Sequence, residues 1–131
     1  MLLSRDTILA VEDLEVEDLE VPEWKGTVRV RALTGAERDD YEASMHQQRG
    51  KNNYVRNLAN VRAKLVVRCV VDEDGKRIFT DQDANALGKK SAAALDRIFE
   101  VAARLSRLSE EDVEELAGKS ESDQSESSPS S

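Results

Sequence analysis

The chain has 131 residues, enough for one domain that buries a core without covalent staples. Hydrophobic residues make up 39% and aromatics only 4%, so that core must be aliphatic and alanine-rich. A formal net charge of −8 sets the chain against phosphate backbones, the single Cys69 excludes an internal disulfide, and the single His46 cannot anchor a metal cluster. No apolar run approaches the roughly 20 residues that span a bilayer. Met1-Leu2-Leu3, followed at once by Ser4-Arg5-Asp6, is too short for a secretory signal. The expected setting is a reducing cytoplasm, with no membrane and no nucleic acid among the partners.

Charge is segregated along the chain: residues 6–23 are acidic, residues 25–77 are rich in Arg and Lys, and the chain turns acidic again from Ser109. Two readings of that pattern stand open. The acidic ends complement the basic middle within one molecule, or they form faces for self-association.

Ser4 is placed to cap a short helix through Ile8 and Leu9. Residues 16–33 read as a β-hairpin. Leu19 and Val21 share a face on the first strand, and Val28, Val30 and Ala32 on the second, with Arg29 and Arg31 opposite. Pro22 ends the first strand or confines it to an edge, and Glu20 is expected across from one of the arginines. Two strands alone are marginal in water, so the apolar face must lie on helices.

Thr34 and Glu37 have capping-box spacing and open a helix expected over 35–48, with Tyr41 and Met45 on a thin apolar stripe. A polar loop at 49–53 follows. A second helix is expected over 54–69, with Tyr54, Leu58, Val61, Leu65 and Cys69 on one face and Arg56, Asn60, Lys64 and Arg68 as a basic ridge. Its β-branched end, Val66 to Val71, is ambiguous between helix and strand. A tight turn through Asp72-Glu73-Asp74-Gly75 leads to Arg77-Ile78-Phe79. A short helix over 81–87 follows a cap at Thr80 and is closed by Gly88. Ser91 caps the clearest helix, 92–108, on which Leu95, Ile98, Ala102 and Leu105 form a stripe widened by Phe99, Val101 and Leu108. On its far face Glu100 and Arg104 stand at i,i+4 spacing. A last acidic helix is expected over 110–117, and residues 118–131 as a disordered, acidic, Ser-rich tail. The fold class is therefore α+β: residues 1–117 form one mainly helical domain with an N-terminal hairpin.

Chemistry is scarce. Residues 72–83 alternate acids around a glycine, but Gly75 falls fourth in that run and the EF-hand requires it sixth. A turn followed by a helix cap accounts for the same residues. Arg29 and Arg31 near Trp24 superficially suit a nucleic-acid reader, yet one aromatic on an acidic chain fits a solvated strand face better. The basic ridge has the same alternative, pairing with the chain's own acids. Cys69, inside LVVRCVV, reads as a small buried hydrophobe. No nucleophile elbow, P-loop or dinucleotide fingerprint occurs, so no catalytic, cofactor or metal residues are assigned and an enzyme is not expected.

Three blocks in order, VPEWKGTVRVRALTGAERDDYE, RAKLVVRCVVDEDGKRIFTDQD and ALGKKSAAALDRIFEVAARLSRLS, resemble the tail assembly chaperones of long-tailed bacteriophages over roughly residues 3–116. The likeness departs at HQQRGKNNYVRNLAN and in the Ser-rich tail. The resemblance implies a non-enzymatic chaperone of the host bacterial cytoplasm that binds and solubilises the tape measure protein. It implies further that the chaperone helps recruit tail tube protein and is absent from the mature virion. It also implies a longer form made by translational frameshifting, for which Gly118-Lys119 can be encoded by a slippery run. The alternative is a head–tail adaptor or minor virion component. The candidate partner-binding residues are Trp24 at the hairpin turn and Ile98, Phe99, Val101, Leu105 and Leu108 on the last long helix; the same helix face has the alternative of being plain core.

Overall fold

The structure is a computed structural model that describes residues 1–48 and 54–108. Its order is α1 (Arg5–Ala10), β1 (Val16–Val21), β2 (Gly26–Arg31), α2 (Gly35–Ala43), β3 (His46–Gln48), β4 (Tyr54–Arg56), α3 (Val61–Cys69), β5 (Val70–Val71), α4 (Ala84–Leu87) and α5 (Ala92–Leu105). The class is α+β, as the sequence patterning indicates. The expected helix over 110–117 and the tail over 118–131 lie outside the described residues.

The hairpin forms with Leu19 opposite Val28 and Val21 opposite Gly26. A 3-10 turn, Pro22–Trp24, closes it, ending on Lys25 in the left-handed region. Alternation then does its work: Val21 and Val30 are fully buried, while Leu19 and Val28 pack against the core from its margin. The salt bridge across the strands differs from expectation. Asp18, rather than Glu20, faces Arg29 in the register, and the guanidinium donates to both carboxylate oxygens at 2.7 and 3.1 Å. A third strand joins on the far side of β2: the end of the LVVRCVV run leaves the helix at Val70, and Val70 pairs with Val30. The sheet is thus three antiparallel strands in the order β1-β2-β5.

α5 packs against α3 on one side and against both hairpin strands on the other. Its buried residues follow the stripe read from the sequence, from Ala94 and Leu95 to Ala103 and Leu105. The Ser91 hydroxyl accepts the Ala94 amide at 3.2 Å, and the helix ends at Leu105, a turn short of the expected 108. Both halves of the capping box at α2 are made, Glu37 N–H to the Thr34 hydroxyl and Thr34 N–H to the Glu37 carboxylate, each at 3.0 Å. The expected 81–87 helix is a 3-10 turn over Asp81–Asp83 that runs into α4.

The middle of the chain departs most. α2 stops at Ala43, where the Ser44 hydroxyl donates to the Tyr41 carbonyl at 2.6 Å, and His46–Gln48 pairs with Tyr54–Arg56 as a second small hairpin. The helix expected over 54–69 therefore begins only at Val61, after Asn60 in the left-handed conformation (φ 57°). Tyr54 and Val55 are better strand formers than helix formers, and once a pairing partner lies alongside, that preference prevails.

Asn60 and the end of α4 meet closely. Its side chain donates to Asn85 at 2.8 Å and lies where a Cβ on Gly88 would have to go. Gly88→Ala forces the Asn60 amide aside and costs its bond to Asn85, so it is expected to destabilise the chain by about 1 kcal/mol, read as a lower urea midpoint with unchanged slope.

Candidate protein-interaction surface

The segregated charge resolves largely within the molecule. Arginines on α5 and just after it face the acidic N-terminal half: Arg97 reaches Glu23 at 3.1 Å, Arg104 reaches Glu17 at 2.7 Å and, beyond the helix end, Arg107 reaches Glu15 at 3.6 Å. Arg104 thus bonds across the fold rather than to Glu100 one turn away. Arg29 and Arg31, the strand pair with a nucleic-acid look, are engaged too. Arg31 donates to Glu37 at 2.6 Å and to the backbone carbonyls of Ala32 and Arg68.

The basic ridge expected over Arg56, Asn60, Lys64 and Arg68 does not form as one helix face: Arg56 lies in β4, Asn60 precedes α3, and Lys64 and Arg68 are drawn into the fold. Arg68 is 3% exposed and donates to Asp40 at 2.9 Å and to the Lys64 carbonyl at 2.6 Å, with Asp81 at 3.5 Å. Its guanidinium carbon lies 5.8 Å from the centre of the buried Tyr41 ring. Lys64 donates to the Ser44 carbonyl at 3.0 Å, and partial burial together with the Arg68 charge lowers its pKa. A long cation on a helix reads as solvated until acids from distant segments arrive beside it, which here are Asp40 and Asp81.

Among the described residues no chemical centre emerges. Cys69 is fully buried, and burial pushes its thiol up to about 12, so it is no nucleophile at neutral pH. The Asp72–Gly75 run is a turn: the Asp72 carboxylate accepts the amides of Asp74 and Lys76 at 2.8 and 3.0 Å, and Gly75 takes φ 83°. Among the described residues no group of three His, Cys, Asp or Glu is placed to hold a metal. No described helix is long and apolar enough to cross a membrane.

Of the candidate partner-binding side chains, Ile98, Phe99, Val101 and Leu105 are buried in the core between α3 and the sheet, at 9% exposure or less. Trp24 and Leu108 are half-buried at its rim. The bared apolar surface lies elsewhere, at the N-terminus. Ser4 caps α1 by accepting the Thr7 amide at 3.1 Å, yet no residue of that helix is buried. Leu2, Leu3, Ile8, Leu9 and Val11 are all more than half exposed. A signal for this was present in the sequence: six large apolar residues among the first eleven, with a cap but no stripe aligned on the hairpin.

Among the described residues the body closes around its own core and leaves the apolar N-terminal arm exposed. The chain belongs to the phage tail assembly chaperone family, whose model matches residues 5–119. Its fold is similar to that of the tail assembly chaperone of bacteriophage HK97, with a TM-score of 0.53 at 19% identity over 70% of this chain and 85% of that one. No curated protein sequence matches it.

Two outcomes test the polar architecture. Arg68→Ala is expected to cost about 2 kcal/mol, below the range for a fully buried pair because Asp40 and Asp81 keep about half their exposure, and Arg68→Lys should recover only part of it. Asp81 is held below the ordinary carboxylate range by the Arg77 hydrogen bond, Asp18 by that of Arg29, Glu23 by that of Arg97, and Asp72 by the Lys76 amide. Folded values lie below unfolded ones, so the unfolded chain binds more protons in acid. The stabilisation is complete above about pH 5 and is lost as pH falls through the folded values. Urea midpoints measured from pH 7 to 3 should fall on the acid side, and fall less steeply in Asp18→Asn/Glu23→Gln.

Proposed function

We propose that this chain binds the phage tape measure protein in the host bacterial cytoplasm, keeps it soluble, helps recruit tail tube protein to it, and leaves before the virion matures. The role is non-enzymatic. The observation that carries this reading is the arm. Among the described residues, large apolar side chains are held in solvent on a body that otherwise closes around its own core, which is a cost unless a client covers them. Family membership supports the assembly role. A long helical client with apolar faces aggregates unless covered, and an amphipathic helix laid along such a face is a suitable cover. Contact through a small arm stays weak per copy, which suits a chaperone that polymerising tube protein must displace.

Trp24 and Leu108, half-exposed at the core's rim, are proposed as secondary client contacts. Ile98, Phe99, Val101 and Leu105 would join them only if the client opened the core. A longer frameshifted form leaving the frame near Lys119 fits the same role, and a coding sequence without a slippery run at Gly118-Lys119 rules it out.

Tagged protein co-expressed with the tape measure should retain it in the soluble fraction, and mass spectrometry of purified virions should find none of this chain. Retention in virions together with portal or connector proteins would instead establish the head–tail adaptor reading.

A further inference from the structure

Cations and acids meet where α3 faces the end of α2 and the helical segment 81–87. Arg68 donates to Asp40 at 2.9 Å, and Arg77 donates to Asp81 at 2.7 Å. Those four groups cancel. Lys64, one turn before Arg68 on α3, is left over. Among the described residues its ammonium has the Ser44 carbonyl, at 3.0 Å, as its acceptor and no carboxylate. An ammonium offers three N–H groups, so two remain unspent, and a carbonyl does not neutralise the charge. Partial burial and the neighbouring Arg68 charge both disfavour the protonated form, and an anion alongside would favour it again.

A cleft of about 270 Å³ opens over this ammonium, lined by Ser44, Arg68, Asp81, Gln82 and Asn85 as well as Lys64. Two of those side chains add donors. Asn85 spends its carbonyl oxygen on Asn60, at 2.8 Å, and keeps its amide N–H groups unbonded among the described residues. Gln82 is exposed, and its side-chain amide makes no bond to a described residue. The same lining limits the charge it takes. Lys64, Arg68 and Arg77 against Asp40 and Asp81 leave one positive charge over, so a monoanion completes the balance. A dianion such as sulfate would set its second charge against Asp81, whose carboxylate lies 3.5 Å from Arg68 in the same wall.

We propose that this cleft is an anion site for a single carboxylate, with one oxygen on Lys64 Nζ and the other on the amides of Gln82 and Asn85. The site is separate from the apolar arm and does not depend on the client reading. The carboxylate belongs to an acidic side chain of another protein or to a small free acid, and affinity separates the two sources.

The test is an NMR titration of the full chain at pH 7 with sodium acetate, sodium sulfate and sodium chloride at matched ionic strength. Acetate should shift the side-chain amide signals of Gln82 and Asn85 saturably, whereas sulfate and chloride should not. Acetate should also raise the Lys64 pKa, read from its Cε signal, because an anion bound to the charged form favours that form. Lys64→Met should weaken acetate binding at least about tenfold. Gln82→Ala, which removes an exposed and unbonded side chain, should weaken it about threefold at an unchanged urea midpoint, and carries the test if Lys64→Met does not fold. A capped helical peptide bearing one Glu is read on the same two signals. Binding at least about tenfold tighter than acetate identifies a protein side chain as the source, and equal affinity identifies a free acid. Shifts that grow without saturating, or that sulfate or chloride reproduces, overturn the inference. So does acetate binding that survives both Lys64→Met and Gln82→Ala, or a Lys64 pKa that acetate leaves in place.

Discussion

The apolar stripe of α5 meets more surface than any single neighbour can offer, and the rest of the body is arranged around covering it. Ile98, Phe99, Ala102 and Leu105 are buried between α3 on one side and the hairpin on the other. At about 1.5–3 kcal/mol for each large side chain taken from water, this face outweighs every ion pair in the molecule. The hairpin is marginal by itself and persists because α5 lies beneath it. α3 in turn ends where Val70 must leave the helix to pair with Val30, which ties the helical layer to the sheet through one continuous segment.

Polar contacts then select the arrangement rather than drive it. The ion pairs from Arg97, Arg104 and Arg107 to Glu23, Glu17 and Glu15 sit at the solvent edge, where each contributes about 0–1 kcal/mol. What they add is direction: acids on or just before the hairpin and arginines on or just after α5 agree on one orientation of strands over helix. Arg68 works differently. Buried beside Tyr41 and bonded to Asp40, it fastens α2, whose only buried residue is Tyr41, to α3. There a polar tie substitutes for an apolar one.

The acidic hairpin and basic helix thereby neutralise much of each other, and in the N-terminal arm Asp6 pairs with Arg5 and Glu15 with Arg107. The body is apolar inside and charge-paired outside, while the arm is apolar outside and acidic. That contrast sits within a chain of the tail assembly chaperone family.

Several elements were legible because their causes are local. Alternation set the hairpin, Thr34 with Glu37 set the start of α2, Ser91 set α5, and the Asp72–Gly75 turn was readable from its residues. The region from His46 to Asn60 was not, because His46–Gln48 and Tyr54–Arg56 become strands only through each other. The partners of Arg68, Arg104 and Asp18 depended on register and on segments dozens of residues away. The breadth of α5's apolar face was plain in the sequence, but whether it served core or partner was not, since hydrophobicity records a need for burial and not the surface that meets it. The sequence by itself determined the periodicities, caps and charge blocks. Only the tertiary structure decided that α5 is covered and α1 is bare, because burial is a property of how distant segments meet.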